Sequence, residues 1–246
     1  MPALEELRVK LFADGANLAS ITELASNPFI KGFTTNPTLM RKAGVADYRA
    51  FARDVLAVVT DRPVSFEVFS DEAPEMERQA LAIASWADNV YVKIPVTNTQ
   101  GEFSGPLIRR LSEAGVHLNI TAVMTPGQVA QVTACLAMDT PSCVSVFAGR
   151  IADTGRDPVP LMAEAVQILR GRPKAELIWA SPRELLNIFQ AEAIGCHIIT
   201  ATSDILAKLP LIGNDLLAFS LETVQMFRQD AVNAGFVIEV EKCLAS

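Results

Sequence analysis

The chain has 246 residues, half of them apolar and a fifth charged, enough for one large α/β barrel or two small domains. Its net charge of −7, without any basic cluster, argues against nucleic acid and anionic membrane as partners, and its apolar runs are too short and interrupted to span a bilayer. The start Met1-Pro2-Ala3-Leu4-Glu5-Glu6 has no signal-peptide character, and Cys135, Cys143, Cys196 and Cys243 form no CxxC or Cys/His cluster, so reduced thiols in a cytoplasmic protein are expected.

Strand signals recur near Val9–Asp14, Gly32–Asn36, Val64–Phe69, Val90–Val96, His117–Val123, Cys143–Phe147, Ala175–Ser181 and Cys196–Thr202. Between them lie helical patterns such as Asp47–Val59, Pro74–Ala87, Pro126–Ala137, Pro158–Arg170 and Pro182–Ala191. Proline in the first turn is a helix-start signal, and all but the first of these five carry it. Strands alternating with helices predict a parallel sheet, and eight strands match a closed (β/α)8 TIM barrel. The competing open doubly wound sheet lacks its usual phosphate fingerprints here, GxGxxG and GxxxxGK[ST]. No linker, repeat or low-complexity tract divides residues 1–246, so a single barrel domain is expected. A surplus helix at about 214–234 is expected to pack across a barrel end or onto a neighbouring subunit. His117 and His197 each open a strand and are assigned structural roles; no metal site is expected.

The fourth strand, Val90-Tyr91-Val92-Lys93-Ile94-Pro95-Val96, holds a lysine inside an apolar run. Side chains alternate along a strand, so Lys93 shares a face with Tyr91 and Pro95 while Val92 and Ile94 face the other way. Burying an ammonium removes its hydration and favours the neutral amine that attacks carbonyls. A lysine snorkelling to water is the plainer account of one such residue, but other strands carry polar groups too. Lys10, Phe12 and Asp14 share a parity in the first strand. The second ends Thr34-Thr35-Asn36-Pro37. Ser65 and Glu67 share a face of the third, Asn119 and Thr121 of the fifth, and Cys143, Ser145 and Phe147 of the sixth, with Arg150 following. The seventh ends at Ser181, two residues before Arg183. Each has a structural explanation as a cap, turn former or rim ion pair. Aimed together into one lumen, they would be costly unless they served a site, and this fold keeps its sites at the carboxyl ends of the strands. An amine among carboxylates, amides and hydroxyls suits imine chemistry on a ketone, and two arginines suit a phosphate.

The pattern resembles the transaldolase family, small-chain branch. The residues that carry the resemblance are Phe12-Ala13-Asp14, Gly32-Phe33-Thr34-Thr35-Asn36-Pro37, Val92-Lys93-Ile94-Pro95, Asn119-Ile120-Thr121, Ser145-Val146-Phe147-Ala148-Gly149-Arg150 and Ala180-Ser181-Pro182-Arg183. The resemblance implies a metal-independent class I barrel, without a cofactor, acting on sugar phosphates and assembled as a homo-oligomer. It implies that Lys93 forms the imine, that Asp14 handles the proton of the hydroxyl at the cleaved bond, and that Glu67 and Thr121 hold a proton-shuttling water. Asn36, Asn119 and Ser145 would bind a dihydroxyacetone unit, Arg150, Ser181 and Arg183 would bind phosphate, and Thr35 and Phe147 would be further substrate-binding residues. Relatives that act as fructose 6-phosphate aldolases resemble a glutamine version of the third strand and a tyrosine version of the sixth. Glu67 and Phe147 therefore place this chain with transfer rather than release of the three-carbon unit.

Overall fold

A computed structural model describes residues 4–239. In chain order the elements are β1 (Lys10–Asp14), α1 (Leu18–Ala25), β2 (Ile30–Thr34), α2 (Pro37–Lys42), α3 (Tyr48–Val58), β3 (Val64–Glu67), α4 (Ala73–Ala84), β4 (Val90–Pro95), α5 (Gly105–Glu113) and β5 (Leu118–Val123). They continue with α6 (Pro126–Thr133), β6 (Ser142–Val146), α7 (Ala148–Ala152), α8 (Pro158–Leu169), β7 (Ala175–Ala180), α9 (Leu186–Ala193), β8 (Ile198–Thr202), α10 (Ser203–Leu206) and α11 (Leu216–Asn233). The eight strands form a closed barrel, each pairing in parallel with the next and β8 returning to β1. This is the expected TIM barrel. Among the described residues, those from Leu4 to Leu209 form one compact unit, and α11 lies in a second that begins at Pro210. Cys243 lies outside the described residues.

The helix starts follow local chemistry. Asn17, Asn36, Asp47, Thr125, Asp157 and Asp215 each accept a backbone N–H from the first turn they precede, which satisfies donors that have no partner inside the helix. Proline occupies the first turn of α4, α6 and α8 as expected, and also of α2 and α5. Pro182 is the exception. The expected helix Pro182–Ala191 begins only at Leu186, because Ser181 adopts φ +59° and the chain must turn before it can coil. The N–H groups of Arg183 and Glu184 are held meanwhile by Asn187 Oδ1, at 2.8 and 3.1 Å. Two strands also end two residues short of expectation. β2 stops at Thr34 because Asn36 is already the cap of α2, and β3 stops at Glu67 rather than Phe69.

The outward faces of the strands pack beneath the helices. Val92 and Ile94 are fully buried there, each stabilising the fold by about 1.5–3 kcal/mol. Inside the barrel a smaller cluster of Phe12, Cys143, Ile178, Ala180 and Ile198 fills the lumen. Gly32 makes room for it, since a Cβ there would stand 2.5 Å from the Phe12 ring. At the amino ends of the strands Lys10 pairs with Glu176 at 2.5 Å, and the Tyr91 and His117 rings lie 5.1 Å apart.

His197, just before β8, accepts the Leu177 N–H on Nδ1 at 3.0 Å, so its role is structural. Burial lowers its pKa from 6.5, the Lys10 charge adds to this, and Glu176 opposes it. A depressed folded pKa means that the unfolded chain takes the proton first. The stabilisation is therefore complete above about pH 6.5 and is lost as pH falls toward the folded value. Denaturant unfolding at pH 7.5 and 5.5 should show a smaller pH-dependent loss in His197→Gln than in the native chain. Equal losses would remove His197 as the source.

Candidate active site

Register brings the polar residues together. Glu67 lies opposite Lys93, Lys93 opposite Asn119, and Pro95 opposite Thr121, so three neighbouring strands present them at one height to one lumen. Lys93 is 5% exposed. Its Nζ donates to the Thr35 carbonyl at 2.8 Å and lies 3.1 Å from Glu67 Oε2. Two contacts leave one ammonium hydrogen, or the lone pair of the neutral amine, free to address a ligand.

Asp14, at the end of β1, accepts from the Thr34 hydroxyl at 2.8 Å and from Asn36 Nδ2 at 3.4 Å. The Thr34 hydroxyl also lies 2.6 Å from that of Thr200. Burial raises the Asp14 carboxyl above its usual range; the Lys93 charge and the bonds from Thr34 and Asn36 oppose this without reversing it. A carboxyl so tuned can give and take a proton nearer neutral pH than an exposed aspartate. Asn36 serves twice, since its Oδ1 also caps α2 by accepting the Leu39 N–H at 2.9 Å.

On the opposite wall Ser145 donates to Asn119 Oδ1 at 2.7 Å, and Asn119 Nδ2 donates to Ser65 Oγ at 3.0 Å. This buried chain of hydrogen bonds across β6, β5 and β3 fixes the amide beside Lys93. Thr121 is buried two residues beyond Asn119 on the same face. Ala122 follows it in the left-handed region, φ 62°, and the β5–β6 register shifts there. Thr35 differs from its neighbours: its hydroxyl donates to the Ser65 carbonyl at 2.8 Å, so what it offers the lumen is its own carbonyl to Lys93.

The anion-binding candidates gather at one corner of the rim. The backbone of α7 presses against the turn after β7, where a Cβ on Gly149 would stand 1.5 Å from the Ser181 carbonyl oxygen; only glycine allows the approach. The contact brings Arg150 into the neighbourhood of Ser181 and Arg183. The exposed Arg150 guanidinium lies 5.8 Å from the Phe147 ring centroid. Arg183 Nε donates to Asp153 Oδ1 at 2.9 Å, and its Nη2 meets Oδ2 of the same carboxylate. The guanidinium thus keeps only part of its fork for a ligand. Among the described residues no group of three or more His, Cys, Asp and Glu side chains is placed to hold a metal ion, and no helix is long and apolar enough to cross a membrane.

Sequence reasoning placed Ser65 on the face of Glu67 without a role and missed three further participants. Thr34 and Thr200 could have been found, because each shares the lumen-facing parity of its strand. Asp153 carries no such signal, since its link to Arg183 spans two different loops.

A family model described as Transaldolase/Fructose-6-phosphate aldolase matches residues 11–242. A "Probable transaldolase" of Dehalococcoides mccartyi is 33% identical over 216 residues, 86% of this chain and 96% of the relative. Another, from Streptococcus equi subsp. zooepidemicus, is 34% identical over 227 residues, 90% of this chain and 100% of the relative. The crystal structure of KGPDC from Streptococcus mutans has a similar fold, with a TM-score of 0.55 and 10% identity over 81% of this chain and 90% of that one.

Proposed function

This chain belongs to the transaldolase/fructose-6-phosphate aldolase family, and from that premise we propose that it transfers a dihydroxyacetone unit between sugar phosphates through an imine on Lys93. The observation that carries the reading is the buried amine, 3.1 Å from a carboxylate at the carboxyl ends of barrel strands. Lys93 adds to the ketone of the donor, and loss of water, with protons moved by Glu67 through a water near Thr121, leaves an iminium. Asp14 takes the proton from the hydroxyl next to the ketone-side carbon–carbon bond. That bond breaks, its electrons pass to the iminium as an enamine, and an aldehyde leaves. The enamine then attacks the acceptor aldehyde, Asp14 returns the proton to the new hydroxyl, and water releases the product ketose. Asn36, Asn119 and Ser145 hold the three-carbon unit, Phe147 lines its site, and Arg150, Ser181 and Arg183 hold the phosphate. No metal or cofactor is needed in this scheme. The test is borohydride reduction in the presence of fructose 6-phosphate, followed by peptide mapping. The reading requires the dihydroxyacetone adduct on the peptide containing Lys93, and an active enzyme that leaves this peptide unmodified would end it.

The family description also includes aldolases, which release the unit to water. Glu67 favours transfer, because a carboxylate can exchange protons with the bound imine where an amide can only orient water. Glu67→Gln is expected to lower transfer by about 100- to 10,000-fold, the scale of a lost general acid/base. It should also raise the ratio of free dihydroxyacetone to transferred product, and an unchanged ratio would pass the role to Phe147. We further place the protein in the cytoplasm as a homo-oligomer; the exposed apolar side chains of α11, among them Leu217 and Phe227, support the latter.

A further inference from the structure

Glu67 ends β3 at a place where the barrel wall has lost a strand. The β2–β3 ladder has two register pairs, Phe33 with Val64 and Thr34 with Ser65, before β2 gives way to α2. The N–H groups of Val64 and Val68 donate toward β4, to the carbonyls of Asn89 and Lys93, while the carbonyls of Pro63 and Ser65 accept from Phe33 and Thr35. Alternate residues of a strand address the same neighbour. The N–H and C=O of Glu67 therefore face the side that β2 has left, and a buried backbone pair there must find another partner.

One side chain supplies it. The Tyr48 hydroxyl accepts the Glu67 N–H at 2.7 Å and donates to the Glu67 carbonyl at 3.0 Å, so it takes the place of the missing strand for this one residue. Tyr48 opens α3, and its ring is fixed by Phe66, Phe69 and Trp86, with centroids 6.1, 4.6 and 5.6 Å away. Burial holds its hydroxyl well above the usual tyrosine range, which keeps the proton it needs to act as donor and acceptor at once.

We infer that Tyr48 is a positioning residue for the reaction: its hydroxyl fixes the backbone of Glu67 and thereby holds the Glu67 carboxylate against the Lys93 amine. The inference rests on the role of Glu67 proposed above. Two residues after Ser65, the last β3 residue paired with β2, the backbone of Glu67 is held, among the described residues, by the β4 side of the strand and by Tyr48. A displacement of about 1 Å at a proton-transfer group is enough to cost about a hundredfold in rate.

Tyr48→Phe removes the hydroxyl and keeps the ring and its packing. Expected for this variant is a fall in kcat of about 10- to 100-fold with KM changed by less than about threefold, together with a moved acid limb of the kcat–pH profile. Added to Glu67→Gln, the same change should lower kcat by less than about twofold further, because a group that acts through Glu67 has nothing left to position. Loss of thermal stability with native kcat and pH profile would make Tyr48 merely structural and overturn the inference. So would losses that multiply in the double variant. If Glu67→Gln is impaired while Tyr48→Phe matches the native enzyme, the inference alone fails. If Glu67→Gln itself keeps native kcat, the proposed role of Glu67 fails and the inference with it.

Discussion

Replacing Lys93 by methionine is expected to lower transfer activity at least about a thousandfold, ~4 kcal/mol of barrier, because the imine proposed on Lys93 cannot form without its amine. Methionine has a similar length and carries no charge, so it can occupy the same buried space. The substitution nevertheless leaves Glu67 without its ion pair and the Thr35 carbonyl without its donor. Unsatisfied polar groups of this kind cost about 1–3 kcal/mol each, partly relieved at Glu67 because its side chain keeps some access to water. A lower but still cooperative unfolding transition is therefore expected, with the barrel intact by circular dichroism. Turnover close to the native value would exclude covalent catalysis by Lys93.

Arg183→Ala is expected to weaken phosphorylated substrates by about 1.5–3 kcal/mol, roughly 10- to 150-fold in KM, the range of hydrogen bonds to charged groups. The ion pair with Asp153 shapes the result. In the native chain the carboxylate orients the guanidinium; in the variant it stands unpaired beside the place proposed for the phosphate and repels it. Removing Asp153 as well, in Asp153→Ala/Arg183→Ala, should therefore recover part of the loss. Unphosphorylated ketoses should be nearly unaffected in both variants. Equal losses for phosphorylated and unphosphorylated substrates would make Arg183 a structural residue of the rim.

The site was legible in the sequence wherever strand parity carried the information. Asp14, Glu67, Lys93, Asn119 and Ser145 all emerge on lumen-facing positions, because a strand alternates faces whatever surrounds it. Parity carries no information past the strand ends. Thr35, a substrate-binding residue by resemblance, turns its hydroxyl to the Ser65 carbonyl and its own carbonyl to Lys93. Pro182 read as a helix start, although the left-handed backbone at Ser181 delays the helix to Leu186.

Taken alone, then, the sequence determined the barrel, the identity of its inward polar residues and the chemistry they suit, since alternation, proline placement and capping residues act over a few positions of chain. The tertiary structure decided which of those residues meet. The Ser145–Asn119–Ser65 chain joins three strands, Gly149 brings two loops to one corner, and Asp153 takes up part of Arg183. Tyr48, from a helix that precedes β3, closes the wall beside Glu67 where β2 has ended. Each of these depends on the stagger and closure of the barrel, which no window of neighbouring residues contains.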